Sequence, residues 1–222
     1  MPESFAVIFD VDGVLTDSYD AHFQSWQRMF GEIGVEFTDE QFRATFGRTN
    51  RDIFAQLYPG EMDVERSRRL GDRKEELYRE IISKDFTPLP GAVELIDALF
   101  AAGFKLAVGS SGPPANVELT LDKLGRRTRF AALSTGADVE RGKPDPQVFQ
   151  IAAMRLGVPP ERCAVIEDAP AGVEAANRAG MASIAVLGTA TPEQLSHARL
   201  VVDSLRELTP EKIQAIIVPV PG

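Results

Sequence analysis

The sequence predicts an α/β fold: a parallel β-sheet with helices on both faces, interrupted once by an all-helical insertion. Three observations predict it. Short apolar runs that read as buried strands recur along the chain. Amphipathic segments carrying helix start and stop signals alternate with the later runs, as in βαβ units. From about Tyr19 to Lys84, by contrast, no strand pattern is found.

The first run, FAVIF at 5–9, ends at Asp10. The pieces AHFQSWQRMFGEIG, TDEQFRATFG, NRDIFAQLY and VERSRRLGDRKEELYREIIS then all read as amphipathic helices, with Trp26 and Phe23 as their expected core. The charged run ERSRRLGDRKEE predicts a solvated helix laced with charge pairs. Asp17 or Ser18 is placed to cap the first of these helices. TPLPG at 87–91 is the expected return hinge, stiffened by Pro88 and Pro90. The domain expectation is a core of residues 1–18 and 86–222 around a helical segment of residues 19–85.

PGAVELIDALFAAG predicts a helix closed by Gly103. KLAVGS at 105–110 and FAALST at 130–135 are strands, with a further helix starting near Pro113. DPQVFQIAAMRLG predicts a helix with Pro146 near its start and Gly157 after its end, and PAGVEAANRAG one running from Pro170 to Gly180. CAVIED at 163–168, ASIAVLG at 182–188 and the weaker RLVVDS at 199–204 complete the strands. The terminal VPVPG reads as a loose tail.

Composition narrows the function classes. At 222 residues, 44% hydrophobic and 26% charged, the chain builds a sizeable core unaided. Its single cysteine, Cys163, excludes an internal disulfide and reads as a buried core side chain; a reducing cytoplasm fits. A net charge of −9 predicts no binding to nucleic acid or to an anionic membrane. The opening MPESFAVIFD predicts no signal peptide, and no apolar stretch reaches membrane-spanning length. Nothing in the sequence fixes the oligomeric state.

In open parallel sheets, ligands sit beyond the carboxyl ends of the strands. Strand one ends in Asp10-Val-Asp12-Gly13, the strand at 105–110 in Ser110 followed by Ser111, and the strand at 163–168 in Glu167-Asp168, while Arg141-Gly142-Lys143-Pro144 precedes a helix. These groups are expected to converge on one rim. Carboxylate, water and phosphate oxygens suit magnesium, with Asp10, Asp12, Glu167 and Asp168 as candidate ligands. Phosphoryl transfer needs such parts. Asp10 attacks phosphorus, Asp12 protonates the leaving oxygen and then deprotonates the attacking water or alcohol, Ser110 donates to a phosphoryl oxygen, and Lys143 supplies fixed positive charge. The partner is then a small phosphorylated metabolite.

FDVDGVLTDS, the Ser110 strand end, RGKPDP and IEDAPAG, in this order and spacing, resemble the four motifs of the haloacid dehalogenase superfamily. The resemblance covers nearly the whole chain. It implies a Rossmann-like core, magnesium, an aspartyl phosphate on Asp10 and a helical cap that closes over substrate, with Gly13 and Ser111 beside the substrate. TDSYDAHFQSW, with His22, and RKEELY, with Lys74, are similar to the β-phosphoglucomutase-like branch. That branch carries a phosphate-gripping arginine three residues after a cap glycine. Here Asn50 follows Gly47 at that spacing, and Arg48 and Arg51 flank it as candidate replacements. The departure favours a phosphatase over a mutase. The acid at Asp12 disfavours the dehalogenase and phosphonatase branches, which lack it.

Blander readings compete. DVDG has its glycine too early for a calcium loop, and GADVERGKP has one residue too many, and Pro144 in place of Ser or Thr, for a P-loop. Glu167-Asp168 can simply cap the next helix, and Ser110 and Ser111 the helix near Pro113. His22 on a helix can be a packing residue, and His197 reads as surface. A catalytically silent capped domain that binds a protein partner is the alternative from another class; the presence of all the expected acids weighs against it.

Overall fold

The computed structural model describes residues 4–45, 48–60 and 62–218. Six parallel strands form one sheet in the order β3-β2-β1-β4-β5-β6. They are β1 (Ala6–Phe9), β2 (Lys105–Gly109), β3 (Phe130–Ser134), β4 (Cys163–Glu167), β5 (Ala182–Val186) and β6 (Leu200–Val202). The order reverses at β1, which pairs with β2 on one side and β4 on the other. The crevice at such a reversal is where a doubly wound sheet binds ligands.

Alternation along the strands divides the core between two faces. Val7 and Phe9 of β1, Leu106 and Val108 of β2 and Ala164 and Ile166 of β4 point to one face. Helices α5 (Ala92–Ala101), α6 (Pro114–Leu124) and α9 (Pro210–Ile217) cover it with Leu95, Leu99, Val117, Leu121 and Ile213. Ile8, Ala107 and Val165 point to the other, under α7 (Gln147–Leu156) and α8 (Pro170–Arg178). Every residue of β1, β4 and β5 is buried, which is why these strands read as continuous apolar runs and not as alternation.

Between β1 and α5 the chain makes only helices among the described residues: α1 (Tyr19–Glu32), α2 (Asp39–Arg43), α3 (Asn50–Leu57) and α4 (Val64–Lys84). They enclose a separate core of rings. Trp26 meets Phe54 edge-on at 5.3 Å, and Phe30 stacks on Phe37 at 4.9 Å. Burial of each such side chain contributes roughly 1.5–3 kcal/mol, enough to hold a small insert together. The charged face of α4 carries the expected pairs, Arg68 with Asp72 and Arg73 with Glu32 and Glu76.

The two connections between insert and sheet run side by side. Thr16 Oγ1 and the Asp17 N–H both donate to the Thr87 carbonyl at 3.0 Å, and the Leu89 N–H donates to Leu15. TPLPG is thus tied to the segment that leaves β1. Ser18 occupies the N-cap position of α1 but caps nothing with its side chain; its hydroxyl is turned to Asp12. Helix α6 is capped by Pro113, with no bond from Ser110 or Ser111. Helix α9 was not expected from the sequence. Gly47 and residues 219–222 of the VPVPG tail lie outside the described residues; Val218, which is described, is the exposed C-cap of α9. No described helix is long and apolar enough to cross a membrane.

Candidate active site

Strand β1 delivers Asp10 to the rim, where its N–H is held by the Ile166 carbonyl of β4 at 3.0 Å. Lys143 Nζ lies 2.6 Å from Asp10 Oδ1 and 2.5 Å from Glu167 Oε1, and all three side chains are buried. The other oxygen of Glu167 accepts the N–H groups of Asp168 (2.9 Å) and Ala169 (3.0 Å) at the start of α8, where the helix dipole favours negative charge. Asp168 Oδ2 accepts a hydrogen bond from Thr189 Oγ1 at 2.5 Å. Asp168 does not cap α8; that position belongs to Ala169.

Asp10, Glu167 and Asp168 each offer a carboxylate oxygen, and these atoms lie within 4.8 Å of one another. Three carboxylates facing the one ammonium of Lys143 leave a formal charge of −2. The strain is visible in the acidities. Burial, reinforced by Glu167 and Asp12 and opposed by Lys143, pushes Asp10 up to about 7. Burial and the charges of Glu167 and Asp10 lift Asp168 well above the carboxylate range. Burial works against the Lys143 ammonium, but Asp10 and Glu167 outweigh it and keep the lysine charged. An all-oxygen donor set with uncompensated negative charge fits a hard divalent cation.

Asp12 does not join this group. Its Oδ1 accepts from Ser18 Oγ (2.7 Å), meets His22 Nε2 (2.9 Å) and accepts from the Tyr78 hydroxyl (3.3 Å). Of the four acids expected around the metal, Asp12 alone has its carboxylate turned away from the others, toward α1 and α4. Burial pushes this carboxyl up, but His22, Ser18 and Lys74 together overcome it and hold Asp12 well below the usual range.

A cavity of about 520 Å³ opens between the rim and the insert. Asp10, Asp12, Ser110 and Ser111 line it from the sheet side, and His22, Arg48, Asn50 and Lys74 from the insert. Ser110 is 1% exposed, and its Oγ accepts the Gly112 N–H at 3.0 Å, which fixes the turn. Lys74 Nζ lies 2.8 Å from His22 Nδ1 and donates to Glu75 Oε1 at 2.9 Å, while Asn50 Nδ2 donates to the same oxygen at 2.7 Å. Arg48 reaches Gln56 at 2.7 Å from the cavity wall.

Two further candidates stand apart from this cavity. Arg51 is exposed, lies against Asp52 and lines a different cavity between α3 and α4. Gly13 does not line the cavity. At φ +77° it lies against Asp168, whose carboxylate would overlap any side chain placed there. Sequence reasoning missed Ser18, Tyr78, Glu75, Asn116 and Thr189. Tyr78 stands four residues after Lys74, on the same helix face, and that spacing was its one available signal.

The insert touches the sheet domain on both flanks of the cavity. Gly142, beside Lys143, abuts the start of α3, so that a β-carbon would come within 3.0 Å of Thr49 Cγ2. On the other flank, α4 reaches α6. Asn116 Nδ2 donates to Glu75 Oε2 at 2.6 Å, and Arg79 Nη1 donates to Asn116 Oδ1 at 3.0 Å.

Residues 6–180 match a hydrolase family described as haloacid dehalogenase-like hydrolase. The chain is 32% identical over 208 residues to validoxylamine A 7'-phosphate phosphatase of Streptomyces hygroscopicus subsp. limoneus, covering 90% of this chain and 94% of that one. It is 30% identical to a phosphorylated carbohydrates phosphatase of Thermotoga maritima, covering 81% and 83%. The crystal structure of β-phosphoglucomutase from Clostridium difficile superposes with a TM-score of 0.86 at 28% identity, covering 96% and 97%.

Proposed function

Because the chain belongs to the haloacid dehalogenase-like hydrolase family, we propose that it is a magnesium-dependent phosphatase that hydrolyses a small sugar-phosphate-type metabolite through an aspartyl phosphate on Asp10. The observation that carries the reading is the division of labour between two acids two residues apart: Asp10 sits in the carboxylate trio with Lys143, and Asp12 sits apart in a hydrogen-bonded cradle.

Asp10, Glu167 and Asp168 would hold the magnesium ion, which would neutralise the repulsion between a carboxylate nucleophile and a phosphate ester. An Asp10 oxygen attacks phosphorus, and the bond from phosphorus to the ester oxygen breaks. Asp12 gives its proton to the departing oxygen. In the second half-reaction the Asp12 carboxylate takes a proton from water, the water oxygen attacks phosphorus, and the Asp10–phosphorus bond breaks to release phosphate. Lys143 holds positive charge against Asp10 throughout, and Ser110 faces the cavity where phosphoryl oxygens gather. In the free enzyme Asp12 is held ionised, which is the form the second half-reaction needs. The phosphate dianion of an incoming substrate raises its proton affinity for the first. Residues 19–85 act as a cap, with His22, Lys74 and Asn50 lining the cavity that would receive the leaving group.

A mutase of the β-phosphoglucomutase kind is the second reading, favoured by the structural likeness. Against it, Asn50 stands where that branch carries an arginine, and its amide is bound to Glu75, which leaves Arg48 on the cavity wall, itself held by Gln56, as the candidate cation for a second phosphate. The deciding experiment assays phosphate release over a panel of sugar monophosphates, with magnesium and with a chelator, beside conversion of β-glucose 1-phosphate. Magnesium-dependent phosphate release is expected. Conversion without net phosphate release would establish the mutase instead.

A further inference from the structure

A buried polar chain runs from core helix α6 through the insert to Asp12. Asn116, 5% exposed, donates from Nδ2 to Glu75 Oε2 at 2.6 Å. Glu75 Oε1 takes a hydrogen bond from Lys74 at 2.9 Å, Lys74 Nζ lies 2.8 Å from His22 Nδ1, and His22 Nε2 lies 2.9 Å from Asp12 Oδ1.

The two groups whose orientation is ambiguous are both fixed by their neighbours. Arg79, which can only donate, meets Asn116 Oδ1, so the amide nitrogen must face Glu75. A lysine ammonium has three donors and no acceptor, so His22 accepts at Nδ1 and carries its proton at Nε2, where it donates to Asp12. Tyr78 stacks on the imidazole at 3.9 Å with the planes 10° apart, which restrains the ring. Every link therefore has a fixed sense: Asn116 and Lys74 both donate to Glu75, Lys74 also donates to His22, and His22 donates to Asp12.

We propose that Asn116 is a positioning residue for the proton transfers of Asp12, acting through Glu75, Lys74 and His22; this rests on the role given to Asp12 above. Asn116 does not line the catalytic cavity, and both its side-chain atoms are engaged by Glu75 and Arg79. Its amide is the link between Glu75 and the core. Without it, the buried carboxylate turns toward Lys74 and Asn50, and the ammonium is drawn off His22. The imidazole is then free to adopt the other tautomer, which presents a lone pair to Asp12 where a donor is needed. Groups in one hydrogen-bonded network couple in this way when one link is removed.

The test compares Asn116→Ala with the unchanged enzyme on two esters: p-nitrophenyl phosphate, whose leaving group departs without a proton, and the fastest sugar monophosphate of the panel, whose alkoxide requires one. Proton transfer from a positioned acid supplies about 10²–10⁴-fold. The expected result is a loss of about tenfold or more in kcat/KM for the sugar monophosphate and less than about threefold for the aryl ester, with no added loss when Asn116→Ala is combined with His22→Ala. Asn116→Ser, which keeps a shorter donor, should fall between and carries the same comparison if the alanine variant does not fold. Equal losses on both esters, or losses additive with His22→Ala, would overturn the proposal. If Asp12→Ala itself failed to discriminate between the esters, the underlying role of Asp12 would fall instead, which separates the two failures.

Discussion

Gly172 on α8 packs so closely against the Glu167 carboxylate that a methyl group there would overlap it. The helix can approach the end of β4 only because this position has no side chain. Glu167 then has room to receive Lys143 on one oxygen and two backbone N–H groups on the other.

Gly172→Ala is expected to push the Glu167 carboxylate off Lys143 and distort the acidic trio. Disturbing such supporting contacts typically lowers metal affinity or activity by about 10–100-fold. Phosphate release measured across a magnesium series checks this: the variant should need more magnesium and stay slower at saturation. Unchanged kinetics would show that Glu167 is not held as described.

Asp10→Asn removes the proposed nucleophile and is expected to reduce turnover to background on aryl and sugar esters alike. A phosphate burst or steady turnover in this variant would exclude Asp10 as the site of the covalent intermediate.

Magnesium should raise the melting temperature more at pH 8 than at pH 5.5. The sign follows from Asp10, whose carboxyl is lifted by burial to about 7, above an unfolded value of about 3.9. As pH rises through that range the folded chain is left with a buried charge that disfavours it, and a cation relieves the repulsion. As pH falls, protons replace the cation and its binding weakens. Thermal melts with magnesium and with chelator at the two pH values test this, and an equal or reversed shift would count against Asp10 as a ligand.

Lys143→Met leaves Asp10 and Glu167 without their shared ammonium in a buried setting. Breaking a buried ion pair by removing one partner costs about 3–5 kcal/mol. Urea unfolding in chelator should show a loss of that order, with part of it recovered in magnesium. A change within error would mean that the carboxylates are neutral in the metal-free protein.

Cys163 is buried in β4, and burial, with Glu161 nearby, pushes its thiol up to about 12. At pH 8 the native protein should therefore resist iodoacetamide and react only after denaturation. Rapid labelling of the folded protein would contradict the packing of β4.

The sheet was legible because its strands are buried on both faces and so read as apolar runs punctuated by glycine and proline. Asp10, Ser110, Lys143, Glu167 and Asp168 were legible for a related reason: the ends of such strands and their loops are fixed points of the topology, and a polar residue there has one place to go. The insert was harder. Nothing in the spacing of Ser18, Tyr78 and Asn116 announces that they gather around Asp12 and Glu75, since that depends on how α1 and α4 lie over the rim. Arg51 and Arg48 show the limit most plainly. They are three residues apart, yet Arg48 lines the cavity beside Asp10 and Arg51 lines another, and which cavity each reaches is a tertiary outcome.

The insert holds the sheet domain at Gly142 on one flank and at Asn116 on the other. If the function proposed above holds, traffic through the cleft would require these seams to part together with the contacts that His22 and Tyr78 make on Asp12. Substrate entry and inorganic phosphate escape would then share that gate, so a viscosogen such as sucrose should throttle throughput even where the bond-breaking steps are untouched.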